Sequence, residues 1–267
     1  LVKLKIKDIE FSYPGVPVLK GVRLDIMPGE LLAVIGKNGA GKSTFIKCMN
    51  RILEPGSGKI FLGDRELRTI KRKDIAKSMA YLSQKDSYAF PVTVFDAVLS
   101  GRYPHRTVNS TREDEARVCE VLRMLELEPL ALRYFNELSG GQQQQVLIAR
   151  AIVQQASIFL LDEPTSDLDI KHQLEVMETI LRLVREENVT AVITIHDLNL
   201  ASRYADRVIM LHNGEIFAAG PANAVLNEEN IALAYGVRVF VNHIEGRPHI
   251  IPLRPIGTEC KGREDSE

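Results

Sequence analysis

Gly36-Lys37-Asn38-Gly39-Ala40-Gly41-Lys42-Ser43-Thr44 follows directly on the apolar run Leu31-Leu32-Ala33-Val34-Ile35. A G-x-x-x-x-G-K-[ST] pattern between a strand and a helix is a phosphate loop. Its glycines let successive backbone N–H groups turn toward phosphate oxygens, and the helix that follows offers its N-terminal end to the same anion. Lys42 is placed to reach the β- and γ-phosphates, and Ser43 to put its hydroxyl on Mg²⁺. The motif fixes the ligand class as a nucleoside triphosphate with Mg²⁺. It leaves open what is done with that nucleotide.

A second element completes the site. The apolar residues Ile158-Phe159-Leu160-Leu161 read as an interior strand, and Asp162-Glu163 emerge at its C-terminal end. Ligands of open α/β sheets bind at that end. Asp162 suits the magnesium side of a nucleotide site, and Glu163 suits a general base that polarises the attacking water.

Working outward, residues 2–11 and 22–26 alternate apolar and polar positions, which predicts a small antiparallel N-terminal sheet. Residues 56–67 read as a hairpin or short strands with turns at Gly58 and at Gly63-Asp64, followed by a short strand over 79–82. Residues 92–101 and 111–127 carry helical periodicity, the second opening with Thr111 and Asp114 at capping-box spacing. Further helices are predicted over 142–155, 170–187 and 198–205, strands over 158–161 and 189–195, and a hairpin turning at Asn213-Gly214. Strands alternating with helices argue a mainly parallel sheet covered on both faces. Residues 237–256 are expected to form strands on the edge of the core, and 257–267 a polar, disordered tail.

Bulk properties narrow the setting. Of the 267 residues, 34 are Lys or Arg and 35 Asp or Glu, so nothing favours nucleic acid as a partner. Cys48, Cys119 and Cys260 show no metal-ligand spacing and read as unpaired thiols. The first residues alternate apolar with Lys and do not read as a leader. No apolar run approaches the roughly 20 residues that span a bilayer, so the chain is expected to be soluble when isolated.

Other motifs carry a specific resemblance. Leu138-Ser139-Gly140-Gly141-Gln142 matches the signature of ATP-binding cassette (ABC) ATPases. Gln84 resembles that family's Q-loop glutamine and Asp162-Glu163 its Walker B acids. Ser166-Asp167-Leu168-Asp169 resembles the D-loop, His196 the switch histidine, and Tyr13 the aromatic that stacks on adenine. The resemblance runs from about residue 2 to 220. It implies an α/β fold of the P-loop NTPase, ABC type: a mixed central sheet, an N-terminal antiparallel subdomain and a helical insertion. The expected division is one ATPase domain over 1–256. Within it, 2–85 and 138–220 form the core, 86–137 the helical part, and 221–256 a packed extension.

The resemblance also implies ATP and Mg²⁺ as ligands, and a head-to-tail homodimer. Each ATP would lie between the phosphate loop of one copy and Ser139, Gly140 and Gly141 of the other, with Tyr13, Gln142 and Asp167 also expected at the nucleotide. Glu163, His196 and Gln84 are then the expected catalytic residues, with Ser43, Gln84 and Asp162 at the metal. One departure is the neutral run Gln142-Gln143-Gln144-Gln145, where many members carry basic residues. The expected consequence is confined to contacts behind the signature.

Residues 81–105, with Phe90-Pro91-Val92-Thr93-Val94 and Arg102-Tyr103-Pro104-His105, resemble the ATPases of iron-siderophore, haem and cobalamin importers. Molybdate importers belong to the same branch. This implies two polytopic permease subunits contacting a groove over 84–105, with Phe90, Val92 and Tyr103 as its floor and Arg102 and His105 at its rim. An extracytoplasmic substrate-binding protein and a peripheral place on the cytoplasmic side of the cell membrane are implied as well. Another importer or exporter ATPase, or a stand-alone ATPase of metal-cluster assembly, remains the alternative, and the cargo is not readable.

Overall fold

The computed structural model describes residues 3–84, 91–106 and 110–257. The expectations placed on Lys85, Phe90, Cys260 and the tail beyond residue 257 lie outside them. The N-terminal sheet has four antiparallel strands in the order β2-β1-β4-β5: β1 (Leu4–Tyr13), β2 (Val16–Ile26), β4 (Ser57–Leu62) and β5 (Arg65–Glu66). β2 starts earlier than its periodicity suggested. Its first residues lie at a sheet edge, mostly exposed, so they carry no buried-face alternation. Gly58 lies inside β4 at a register shift against β1 and makes a bulge rather than the expected turn.

The central sheet has the order β10-β9-β3-β8-β7-β6. β3 (Leu31–Ile35), β6 (Met79–Leu82), β7 (Ile158–Asp162), β8 (Thr190–Thr194) and β9 (Arg207–His212) run parallel, and β10 (Glu215–Gly220) closes one edge antiparallel. Asn213 and Gly214 take φ of 51° and 85° between β9 and β10, as a two-residue hairpin of the Asn-Gly type requires. All five residues of β3, β7 and β8 are buried. β3 sends Leu31, Ala33 and Ile35 into a core under the helices, and Leu32 and Val34 into a second core shared with the N-terminal sheet. The phosphate loop therefore leaves the sheet between the two cores.

Helices α1 (Lys42–Met49) and α2 (Arg72–Ser78) precede the helical insertion, which contains α3 (Val94–Leu99), a 3₁₀ segment (Ser100–His105) and α4 (Arg112–Met124). Thr111 and Asp114 form the predicted capping box of α4, whose first turn is acidic. α5 (Gly140–Val153), α6 (Ile170–Glu186) and α7 (Leu198–Tyr204) return to the core. α6 buries Val176, Met177, Ile180, Leu183 and Val184, one apolar stripe at helical spacing. α8 (Ala222–Val225) and α9 (Glu228–Tyr235) lead to the hairpin β11 (Val237–Ile244) and β12 (Arg247–Pro255). That hairpin forms its own two-stranded sheet, and Val239 and Ile250 enter the helix-side core.

Candidate functional site

The phosphate loop is built on backbone that other residues would not tolerate. Gly36 has φ 151°, and a Cβ there would lie 2.4 Å from the Leu211 carbonyl oxygen of β9. Gly41 occupies the N-cap of α1 with no side-chain cap, which leaves that helix end free for an anion. Lys42 is buried, and its ammonium donates to the carbonyls of Gly36 (2.8 Å) and Lys37 (3.3 Å). Desolvation lowers its pKa, while Glu163 and Asp162 oppose the shift. Lys37, Asn38 and Gly39 are exposed at the loop tip, whereas Ala40 and Thr44 are buried beneath it. Tyr13, 41% exposed, stands edge-on to Phe11 with its hydroxyl 3.5 Å from that of Thr44. The structure thus brings an accessible aromatic ring to the loop.

β7 and β8 place the acids. The Asp162 carboxylate accepts from Ser43 Oγ at 3.0 Å and from Thr194 Oγ1 at 2.8 Å. Thr194 also accepts from the Glu163 backbone N–H at 2.8 Å. Sequence reasoning missed Thr194, although a threonine ending the buried strand β8 in register with Asp162 was a usable signal. Glu163 is buried in the left-handed region at φ 55°, a conformation that surrounding contacts must hold. Its Oε2 accepts from Gln84 Nε2, and its Oε1 lies against His196 Nε2, both at 2.5 Å. Gln84, Glu163 and His196 are therefore one hydrogen-bonded cluster beside Lys42.

Mg²⁺ takes few protein ligands and keeps phosphate and water oxygens around it. The paired Ser43 hydroxyl and Asp162 carboxylate fit that donor set. No cluster of three or more His, Cys, Asp or Glu among the described residues offers a self-sufficient metal site.

The signature lies at the start of α5. Gly140 and Gly141 belong to the helix's first turn, which corrects the expected start near Gln142. Ser139 is the N-cap, its hydroxyl accepting from Gln142 N–H and Gln142 answering on the Ser139 N–H. Ser139 and Gly140 are exposed. A Cβ on Gly141 would meet the His172 ring at 2.6 Å. The helix end thus presents its N–H groups to solvent, as an anion subsite does. Asp167, at φ 60°, follows Ser166, whose hydroxyl donates to the Glu163 carbonyl at 3.0 Å.

A family model for ABC transporters matches residues 19–166. The chain belongs to the ABC transporter ATPase family. An uncharacterized ABC transporter ATP-binding protein of Methanocaldococcus jannaschii is 42% identical over 253 residues, 95% of this chain and 99% of that one. The petrobactin import ATP-binding protein YclP of Bacillus subtilis is 34% identical over 91% of this chain and 97% of its own. Among solved structures, a chain of an inward-facing ABC transporter described as metal-chelate type superposes with TM-score 0.83 at 31% identity, covering 94% of this chain and 97% of that one. The cassette is accordingly an ATPase of the P-loop class.

One expectation about the cassette's groove is corrected. Arg102 does not stand at a rim. It is buried, paired with Asp114 at 2.7 Å, and donates to the Val153 carbonyl and to Gln155 Oε1 at 3.0 and 2.7 Å. Its partners lie 12 to 53 positions away in sequence, so local reading of an exposed turn could not find them. Val92 is partly buried and packs against the helix-side core, and His105 is bonded to the Gln154 carbonyl at 2.8 Å. A groove of about 490 Å³ does exist, lined by Arg72, Ile75, Tyr81, Tyr103, Pro104 and Arg150. Tyr103 is 78% exposed at its mouth.

The neutral run after the signature also has a structural use. Gln143 Nε2 donates to the carbonyls of Phe135 (3.1 Å) and Leu138 (3.2 Å), holding the turn that delivers Ser139. Gln143→Ala removes both bonds, while the Phe135 carbonyl keeps the Leu138 N–H, and a loss of about 1–2 kcal/mol in denaturant unfolding is expected.

Proposed function

We propose that the cassette is the ATP-hydrolysing subunit of a membrane importer for a metal chelate, working as a homodimer beneath two permease subunits. The likeness to a petrobactin import protein over nearly the whole chain carries this reading. The phosphate loop and Tyr13 hold ATP in one copy, and Ser139, Gly140, Gly141 and Gln142 of the second copy close over its γ-phosphate, with Asp167 at the same interface. When bound between Ser43 and Asp162, with Gln84 nearby, Mg²⁺ supplies charge neutralisation at the phosphates. Lys42 leaves the loop carbonyls for phosphate oxygens.

Glu163 accepts a proton from the attacking water as its oxygen bonds to the γ-phosphorus. The bond to the ADP oxygen breaks, and the electron pair leaves with ADP. His196, already against Glu163, orients that water. Gln84, bonded to Glu163, carries nucleotide state toward the helical insertion. The likeness to an import ATP-binding protein supports a peripheral place on the cytoplasmic face of the membrane. No helix among the described residues is long and apolar enough to cross one.

The test is isolation of the tagged chain from its native membrane, followed by reconstitution of what accompanies it. A polytopic protein at one-to-one stoichiometry and ATP-dependent uptake of a ferric chelate into vesicles are the expected results. Absence of such a partner, or uptake of a different solute only, overturns the reading.

A further inference from the structure

Residues 228–255 lie beyond the part of the chain that the family model covers, yet they touch both sides of the nucleotide site. At one end, α9 stops at Tyr235, whose hydroxyl is buried beside the Gly36 backbone without completing a hydrogen bond. The next residue, Gly236, closes the helix at φ 68°, and a Cβ there would lie 3.3 Å from Lys37 Nζ.

At the other end, β12 grips α7, which begins two residues after His196. Asn199 makes a reciprocal pair with Ile250: its Oδ1 accepts from the Ile250 N–H at 2.7 Å and its Nδ2 donates to the Ile250 carbonyl at 3.2 Å. Ser202 Oγ donates to the Pro248 carbonyl at 2.6 Å. Arg247 caps the far end of the same helix through the carbonyls of Ser202 (2.5 Å) and Ala205 (3.3 Å). The two ends are joined internally, because Glu228 of α9 accepts from Val241 N–H at 3.1 Å and Ile256 N–H donates to the Gly236 carbonyl at 2.8 Å.

A helix as short as α7 has little stability of its own and takes its direction from what it packs against. Its N-cap, Asp197, adjoins the residue whose imidazole rests on Glu163.

We propose that residues 228–255 form a strap that sets His196 relative to the phosphate loop, with Asn199 and Arg247 as positioning residues for hydrolysis. This rests on the roles given to His196 and Glu163 above. Displacing the strap slows turnover while leaving nucleotide affinity in place, because the groups that bind phosphate are built on β3 and α1.

The experiment is single-turnover and steady-state ATP hydrolysis by the purified full-length chain carrying Asn199→Ala, Arg247→Ala, His196→Ala, or His196→Ala with Asn199→Ala. Asn199→Ala is expected to lower kcat about 10-fold with KM for MgATP within twofold of the parent. Arg247→Ala, at an exposed side chain, gives the same split should Asn199→Ala fold poorly. In the His196→Ala background, Asn199→Ala is expected to add no further loss, since groups acting as one unit are not additive. Leu253→Ala, on the exposed side of β12, leaves kcat unchanged. Losses that multiply in the double variant, or a KM that rises with unchanged kcat, overturn the strap alone. Full turnover by His196→Ala overturns both the strap and the role of His196.

Discussion

Glu163→Gln is expected to leave ATP binding intact and to lower kcat by about 10²–10⁴, the usual contribution of a positioned general base. The substitution keeps the side chain's size. An amide can still accept from Gln84 with its oxygen and donate to the His196 ring with its nitrogen, so the cluster persists in outline. The backbone N–H bond to Thr194 is untouched, and the left-handed conformation is no worse for Gln than for Glu. What disappears is the capacity to take a proton from water. ATP then stays bound uncleaved, and the closed pair of cassettes accumulates, readable as an ATP-dependent rise in apparent mass on a sizing column. Parent-like hydrolysis by this variant would remove Glu163 from the mechanism.

The second large effect concerns stability. Arg102 and Asp114 are almost fully buried and satisfy each other, with Thr111, Val153 and Gln155 completing the network. Arg102→Ala leaves a buried carboxylate, and Asp114→Ala a buried guanidinium. Either is expected to destabilise the cassette by about 3–5 kcal/mol in urea unfolding. Replacing both by apolar residues of similar volume is expected to restore much of that, because the desolvation of two charges is no longer opposed to their attraction.

The pair also carries a pH signature. The Arg102 guanidinium, bonded to Asp114, holds that carboxyl down to about 2, against the partial opposition of burial, with Thr111 helping. A folded pKa below the unfolded value of about 3.9 makes the contribution fully present above about pH 4. It is lost as pH falls through about 2. The gap between parent and Asp114→Asn should therefore shrink on acidification, and a gap independent of pH between 6 and 2 would contradict the pairing.

Much of this architecture can be read without coordinates, for identifiable reasons. The phosphate loop, the acids at 162 and 163 and the strands behind them are contiguous signals in which five buried residues sit side by side. The start of α5 was misplaced by two residues because glycines are poor helix formers, although Ser139 and Gln142 already had capping-box spacing. Arg102 was misread because its partners come from α4 and from residues just before and beyond the end of α5, and a charged residue beside tyrosine and proline looks like surface. Thr194, Asn199 and Gln143 escaped for a similar reason. Each is a small polar residue whose meaning comes from a backbone group or carboxylate supplied by a distant segment. Sequence patterns report which face is buried; they do not report which polar group waits there.

The alternation along β3 has a further consequence. β7 repeats it, with Phe159 and Leu161 facing the helices and Ile158 and Leu160 the N-terminal sheet, and β8 and β9 do likewise. Four strands thus serve as a shared wall, so neither core can loosen without baring the back of the other. The N-terminal sheet, for all its separate strand pairing, has no independent existence as a folded piece. No single cut in the gene could even divide the two, because β3 and α1 lie in the chain between β2 and β4.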